Sequence, residues 1–240
     1  MNFKESFQKA YDHLNMKIPL TGKEIDLFER YYHLLNEWNK KINLTAIKEM
    51  EDVIQKHFID SIVLLKYFAP KQDAAMIDIG TGAGFPGIPL KILRPDLKLT
   101  LLDSVHKKLH FLEVLSEELS LSGISFLHGR AEDFAHEDDK REKYDYCVSR
   151  AVADLSVLSE LCLPFVKTGG CFISYKSANC FKEIKNASGA LSILGGTLKN
   201  SERFSLCDDQ GRSLLFIEKT GKTPSRYPRK AGLPAKKPLS

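Results

Sequence analysis

Residues 76–87 combine residue types and spacing that suit a nucleotide-like ligand. Met76-Ile77-Asp78-Ile79 is a short apolar run that predicts a buried strand, and four glycines follow between positions 80 and 87. The next residues predict a helix, which Arg94-Pro95 would end. A strand, a glycine-rich turn and a helix place backbone N–H groups and a helix N-terminus around such a ligand. This segment therefore predicts a binding site.

Two interpretations of the turn compete. Gly82-Ala83-Gly84-Phe85-Pro86-Gly87 satisfies G-x-G-x-x-G, the fingerprint of dinucleotide-binding proteins, but a single match of that kind is weak. Asp78-Ile79-Gly80-Thr81-Gly82 instead resembles the D-x-G-x-G motif of class I S-adenosylmethionine (SAM) methyltransferases. The Asp78 carboxylate would repel a pyrophosphate, whereas it would attract the ammonium and sulfonium of SAM. We therefore expect SAM as the cofactor, bound near Asp78, Gly80 and Gly82, with an NAD-dependent oxidoreductase as the less favoured alternative.

The following strand ends supply further cofactor candidates, because ligands of open α/β sheets lie at the carboxyl ends of the strands. Asp103 ends the second predicted strand, 23 residues after Gly80. An acid that binds a ribose diol is expected about 20 residues on. Capping of the next helix is the alternative role for Asp103. Ala131 and Glu132 follow the third strand, at a loop that borders the adenine in methyltransferases.

Three cations follow the third, fourth and fifth predicted strands, namely Arg130, Arg150 and Lys176. Because the carboxyl ends of these strands would lie at one edge of the sheet, the three cations would form a positively charged surface there. We expect one of them to bind the SAM carboxylate and the others to contact phosphates of the substrate. Ion pairs with neighbouring acids are the alternative for any single one of these cations.

The segment after the fourth strand excludes several classes of methyl acceptor. It lacks the D/N-P-P-Y/F motif of enzymes that methylate exocyclic amines, and the chain has no Pro-Cys sequence for attack on a pyrimidine. An acceptor with its own lone pair, such as guanine N7, needs alignment but no general base. His57 and Asp60, three residues apart on a predicted helix, are interpreted as a surface pair, with catalysis by His57 as the alternative. The five cysteines have no zinc-like spacing, and no metal site is predicted.

Composition and charge narrow the possible partners. The 240 residues, 43% hydrophobic and 28% charged, predict a globular protein. Neither an apolar run of the roughly 20 residues that span a membrane nor a signal peptide is present, so we expect a cytoplasmic protein. Residues 219–240 carry seven Lys and Arg residues and no acid. We expect Arg229 and Lys230 to contact RNA, with a solvated end or a segment folded back onto the sheet as alternatives.

Hydrophobic periodicity divides the chain into three predicted parts. Residues 1–70 form an N-terminal helical cap, with a capping box from Thr21 to Glu24. Residues 71–220 form the SAM-binding methyltransferase core, and residues 221–240 form a basic, proline-rich C-terminal tail. The core predicts a class I methyltransferase fold, which is a Rossmann-like α/β sheet of seven strands with the last strand antiparallel. Asp208-Asp209-Gln210-Gly211 is the predicted turn of its final hairpin. Predicted strands cover residues 75–79, 98–103, 124–128, 144–149, 170–175, 197–206 and 213–220, and predicted helices cover 87–94, 106–121, 154–163 and 179–194.

The chain resembles one known family along essentially its whole length. Beyond the glycine-rich turn, the matching segments are Trp38-Asn39-Lys40-Lys41-Ile42-Asn43-Leu44-Thr45-Ala46, His57-Phe58-Ile59-Asp60-Ser61, Gly129-Arg130-Ala131-Glu132, Ser149-Arg150-Ala151 and Tyr227-Pro228-Arg229-Lys230-Ala231-Gly232-Leu233-Pro234. These residues are similar to those of the bacterial small-subunit ribosomal RNA guanine-N7 methyltransferases, also called glucose-inhibited division protein B. The resemblance implies SAM-dependent methylation of guanine N7 in a loop of 16S rRNA. It implies cofactor contacts from Gly80, Phe85, Ala131, Glu132 and Arg150.

The resemblance also implies a partner. We expect 16S rRNA, in the small ribosomal subunit or its precursor, to be bound by a monomer that does not interact with membranes. A non-catalytic RNA- or ribosome-binding protein that retains the SAM-binding fold is the alternative from another class. The intact Asp78, Gly80, Gly82 and Asp103 favour the enzyme over that alternative.

Overall fold

The computed structural model describes residues 1–150, 153–206 and 211–240, and seven strands within them form one sheet. The spatial order is β3-β2-β1-β4-β5-β7-β6, where neighbours are parallel except that β7 is antiparallel to β5 and β6. The predicted fold class, with its antiparallel last strand, is confirmed. Asp208, Asp209 and Gln210 of the predicted turn, and Ala151, lie outside the described residues. The strands are β1 Ala75–Ile79, β2 Lys98–Asp103, β3 Ile124–His128, β4 Tyr144–Arg150, β5 Val166–Ser177, β6 Gly196–Ser205 and β7 Gly211–Lys219.

The N-terminal part is helical, as its periodicity predicts. Thr21 and Glu24 form the predicted capping box, in which the Thr21 N–H donates to Glu24 Oε2 at 2.9 Å. Of the two adjacent tyrosines in this part, Tyr31 is fully buried while Tyr32 is only half-buried. The helices are α1 Phe3–His13, α2 Gly22–Asn39, α3 Met50–Val53, a π-helical turn Ile54–Ile59, α4 Asp60–Ile62 and α5 Leu64–Tyr67.

The helices of the core alternate with the strands. The single helix predicted over residues 179–194 is two helices, which meet at Ala187. Strand β5 is longer than predicted and starts at Val166. The helices are α6 Gly87–Leu93, α7 His106–Glu118, α8 Ala131–Phe134, α9 Leu155–Cys162, a 3₁₀ turn Leu163–Phe165, α10 Phe181–Asn186, α11 Ser188–Leu194 and α12 Leu233–Lys236.

Helices cover both faces of the sheet and bury two apolar clusters. The N-terminal helices, α6 and α7 pack on one face, around residues such as Phe28 and Phe111. Helices α9 and α11 pack on the other face, together with Tyr227 from the C-terminal segment. Because both faces are covered, a ligand can reach the parallel strands only at their ends. In the described part of the chain, no helix has the length and apolarity that crossing a membrane requires.

Candidate functional site

The glycine-rich turn connects β1 to α6 and is attached to the end of β2. Gly80 and Gly82 have φ angles of +71° and +61°, a region that side chains with a Cβ rarely adopt. The N–H groups of Gly80 and Thr81 donate to the Leu102 carbonyl at 2.9 and 3.1 Å. The turn therefore has a fixed shape, in which glycine is required by the backbone and also leaves room for a close approach.

Asp78 sets the shape of this turn from inside. Its side chain is fully buried, and Oδ2 accepts hydrogen bonds from Thr81 Oγ1 at 2.8 Å and from the Gly87 N–H at 2.9 Å. Burial raises the pKa of Asp78 to about 7. Its Oδ1 atom is buried without a hydrogen-bond partner among the described residues. Asp78 thus joins the end of β1 to the start of α6, and only Oδ1 is left for a further donor.

Asp103 lies beside the turn at the end of β2. Its side chain is 6% exposed, and its Oδ2 accepts from the Gly82 N–H at 2.9 Å. The other oxygen, Oδ1, accepts from the Val105 N–H at 2.9 Å, next to the start of α7. Both roles considered for Asp103 are therefore compatible with the geometry. Each carboxylate oxygen has a second lone pair, so the group retains acceptor capacity for the two hydroxyls of a ribose.

Ala131 and Glu132 lie at the third strand end, next to Asp103. The Gly129 N–H donates to the Asp103 carbonyl at 3.2 Å, which connects the loop after β3 to the end of β2. Ala131 and Glu132 are buried in the first turn of α8, and Glu132 Oε1 accepts from the Gly232 N–H at 3.2 Å. The ends of β1, β2 and β3 thus bring together five of the predicted cofactor residues, which are Gly80, Gly82, Asp103, Ala131 and Glu132.

Phe85, after the glycine-rich turn, packs against side chains of the N-terminal helices. The Tyr31 ring stacks on it with centroids 5.3 Å apart, and the His57 ring stacks on it at 4.5 Å. Tyr31 also donates its hydroxyl hydrogen to the carbonyl of Ala83 in the turn. The N-terminal helices therefore contribute side chains to the candidate site, in addition to covering one face of the sheet. The sequence shows two adjacent tyrosines, Tyr31 and Tyr32, but it does not show which of them is buried.

Arg150, at the end of β4, connects the core to the N-terminal helices. Its guanidinium donates to Asp60 Oδ2 at 2.9 Å and to His57 Nδ1 at 3.2 Å, and lies 5.1 Å from the centre of the Phe85 ring. Asp60 is buried and His57 is half-buried. The interpretation of His57 and Asp60 as a surface pair is therefore wrong, because both side chains bind the Arg150 guanidinium inside the protein. Lys56 also presents its carbonyl to Arg150 at 3.1 Å, so the guanidinium already has several protein acceptors.

His57 is held in its neutral form. Burial and the neighbouring Arg150 lower the pKa of His57 from 6.5 to about 3. Since a guanidinium only donates, Nδ1 is the acceptor, and the proton lies on Nε2, 2.7 Å from Thr45 Oγ1. Asn39 positions Thr45, because Asn39 Oδ1 accepts from the Leu44 and Thr45 N–H groups at 2.8 and 3.0 Å. Asn39 and Thr45, from the segment 38–46 that matches the family, therefore help to orient His57.

A cavity of about 700 Å³ lies next to Arg150, above the ends of β4 and β5. Pockets of this size accommodate small organic ligands. Lys176 lines it, but its ammonium donates to the Ala153 carbonyl at 2.5 Å and forms an ion pair with Glu183. Lys176 therefore takes the ion-pair alternative, and phosphate contact by Lys176 stays a prediction in which the RNA would compete with Glu183. The lining residues are Ile47, Lys56, His57, Asp60, Arg150, Ala153, Asp154, Tyr175, Lys176, Ser177, Glu183, Phe204, Arg212 and Ser213.

The C-terminal segment folds back onto the core. Arg229 forms a two-pronged ion pair with Glu160, at 2.8 Å from Nε to Oε1 and 2.6 Å from Nη2 to Oε2. Arg141 donates to the Tyr227 and Thr223 carbonyls at 2.9 and 2.8 Å. The segment therefore takes the fold-back alternative, and RNA contact by Arg229 stays a prediction in which the RNA would compete with Glu160. The predicted RNA contacts Arg130 and Lys230 are exposed.

Comparison with known proteins agrees with this geometry. The family model described as rRNA small subunit methyltransferase G matches residues 24–213. Proteins named ribosomal RNA small subunit methyltransferase G include one from Desulforamulus reducens, 53% identical over 94% of each chain, and one from Bacillus cereus, 48% identical over 98% of each chain. The solved structure of M. jannaschii TYW2 in complex with AdoMet matches 85% of this chain and 79% of its own, with a TM-score of 0.51 and 11% identity, which supports the fold alone. The chain belongs to the rRNA small subunit methyltransferase G family.

Proposed function

We propose that this protein transfers the methyl group of SAM to N7 of a guanine in 16S rRNA. The observation that carries the proposal is the connection between two neighbouring regions. Arg150 lies over the ring of Phe85, which follows the glycine-rich turn with Gly80 and Gly82, and Arg150 also lines the cavity of about 700 Å³. Family membership supports the same reaction. The substrate would be the rRNA in the small ribosomal subunit or its precursor, the site of action the cytoplasm, and the active species a monomer.

The residues at the ends of β1, β2 and β3 fit SAM as the cofactor. Asp103 has spare lone pairs for the ribose hydroxyls, and Gly80 and Gly82 allow backbone approach. Ala131 and Glu132 would border the adenine. Asp78 Oδ1, a buried acceptor without a described partner, supplies negative potential for the positively charged end of SAM. When bound, SAM supplies a methyl group on a sulfonium, which is open to attack by a nitrogen lone pair.

The remaining requirement is alignment of the guanine. N7 carries a lone pair and no hydrogen, so its methylation needs no general base. The neutral His57 agrees with this, because both of its ring nitrogens already have partners in Thr45 and Arg150. The role we assign to His57 and Arg150 is to hold Phe85 and the cavity wall in place. Exposed Arg130 and Lys230 would contact phosphates of the RNA.

The test is methylation of small subunits and of protein-free 16S rRNA from a strain that lacks this protein. Labelled methyl groups should be transferred to a guanine, and chemical cleavage specific for 7-methylguanine should map the site. Calorimetry should show binding of SAM and no binding of NADH. Binding of NADH without SAM would favour the oxidoreductase, and SAM binding without methyl transfer to either RNA would favour a non-catalytic binding protein.

A further inference from the structure

Phe181 is an exposed aromatic residue that the functions described above do not use. It is the first residue of α10 and is 63% exposed. Within residues 1–150, 153–206 and 211–240, the exposed large hydrophobic side chains are Met1, Val105, Phe181 and Ile193, of which Phe181 is the aromatic one. The Arg203 guanidinium lies over its ring, 3.9 Å from the centroid. The ring and the guanidinium together present a flat, exposed surface on which another planar group can stack.

This pair lies at the rim of the cavity. Glu183, two residues after Phe181, and Phe204, the residue after Arg203, both line the cavity. Phe204 pairs with Arg212 in the sheet, so Arg203 lies at the same edge as the ends of β4 and β5. Phe181 and Arg203 are therefore close in sequence to residues that line the cavity, although they do not line it themselves.

The charge around the pair is positive. Lys182, Lys185 and Arg203 are exposed, whereas the acid of the same helix, Glu183, forms an ion pair with Lys176. Cations that surround an exposed aromatic ring match a polyanion with flat, unpaired bases. Unpaired RNA bases stack on aromatic rings and on guanidinium planes, and the cations neutralise the adjoining phosphates. RNA is therefore the occupant that we assign.

We propose that Phe181 and Arg203 form a stacking platform for an unpaired nucleotide of the substrate RNA, next to the guanine that enters the cavity. This inference rests on the proposed function for the identity of the substrate. The platform contributes to RNA binding and has no part in SAM binding, because the ends of β1, β2 and β3 lie elsewhere along the edge.

The first test is the kinetics of the Phe181→Ala variant. The KM for protein-free 16S rRNA should rise about tenfold, as expected for the loss of one stacked base, with kcat within about twofold of wild type. Phe181→Tyr should retain the wild-type KM. Melting temperature and SAM affinity should not change, because the side chain is exposed. Ile193→Ala, which removes another exposed apolar side chain on the next helix, is the matched control and should have the wild-type KM.

A second test does not depend on methyl transfer. The fluorescence of a Phe181→Trp variant should be quenched by a short single-stranded RNA oligonucleotide, with the wild type as a control for Trp38. Equal affinity of this RNA for wild type and Phe181→Ala would overturn the platform even if methylation is confirmed. A defect of Phe181→Ala on assembled subunits but not on protein-free rRNA would also overturn it, since the surface would then contact protein. If wild type transfers no methyl group yet the quenching occurs, the proposed function fails and the platform stands.

Discussion

The Arg229 guanidinium lies against the carboxylate of Glu160, a side chain with no exposure to solvent, and binds both of its oxygens. The Arg229 N–H donates to the same carboxylate at 2.7 Å. This pair attaches a segment with seven cations and no acid to helix α9. Near it, Gly232 donates to Glu132 at the proposed adenine loop. The basic C-terminal segment is thus part of the folded core and contacts Glu132 of the proposed cofactor site.

We therefore expect Arg229→Ala to destabilise the protein. The change leaves a buried Glu160 charge without its partner, which costs about 3–5 kcal/mol. Thermal and urea denaturation should report the loss, and SAM affinity should fall because the segment supports Glu132. Lys230→Ala, at the exposed neighbouring position, should melt like wild type. Adding Glu160→Gln to Arg229→Ala should recover part of the stability, and wild-type stability of the single variant would contradict the assignment.

Tyr31→Phe should weaken SAM binding. The hydroxyl of this fully buried residue donates to the Ala83 carbonyl in the glycine-rich turn, and burial raises the Tyr31 pKa well above its ordinary value, so the proton is retained. Loss of the donor leaves a buried carbonyl unpaired, at a cost of about 1–3 kcal/mol. Calorimetry should show lower SAM affinity. Tyr32→Phe is the control, and equal SAM affinity of both variants would remove Tyr31 from the site.

Asp103→Ala should reduce SAM affinity by about 1–3 kcal/mol, the usual cost of removing a charged hydrogen-bond partner. Asp103 orders the Gly82 N–H and is the proposed acceptor for the ribose hydroxyls. Asp103→Asn, which keeps one acceptor oxygen, should lose less. Asp138→Ala, which removes an exposed acid, should bind SAM like wild type. A lower melting temperature with unchanged SAM affinity would restrict Asp103 to its structural contacts with Gly82 and Val105.

His57 should make stability dependent on pH. Its pKa is about 3 in the folded protein and 6.5 as the ordinary value, so the unfolded chain binds more protons between these limits. Stability should therefore fall as pH decreases from 6.5, by up to about 1.4 kcal/mol per pH unit for this group. Urea unfolding of His57→Gln should show a shallower pH dependence, by about one proton. His13→Gln, at an exposed position, should keep the wild-type slope. An unchanged slope in His57→Gln would show that His57 titrates alike in both states.

Arg130 and Lys230 should contribute to the salt dependence of RNA binding. Each phosphate contact releases counterions, so their double alanine variant should reduce the slope of log affinity against log salt by up to about 2 units. SAM affinity should not change. Lys176→Ala is the comparison, and it should change this slope little because Lys176 already forms an ion pair with Glu183. A wild-type slope in the double variant would remove both residues from the RNA interface.

The sequence determined the elements of the sheet and the ligand class. Strands β1, β2 and β3 have the predicted limits, because short apolar runs bounded by turn residues specify buried strands locally. The glycine-rich turn and the position of Asp103 followed from spacing along the chain, since both depend on neighbouring elements of one βαβ unit. The same local reasoning misjudged β5, because Gly169-Gly170 is a turn signal that lies inside the strand, and it missed the α10–α11 break at Ala187.

Only the tertiary structure decided the partners of the charged residues. Arg150 and Asp60 are 90 positions apart, Arg229 and Glu160 are 69 apart, and Tyr31 and Ala83 are 52 apart. Residue type tells that a cation can bind a phosphate, but it cannot tell which acid the fold brings close to it. Packing of the N-terminal helices against α6, and of the C-terminal segment against α9, neutralised Arg150 and Arg229 and left Arg130 and Lys230 exposed. Short segments of sequence therefore specify the chemical groups of the site. Which acid pairs with which cation is decided only when distant elements pack together, because a charge that packing removes from water needs a partner of opposite charge.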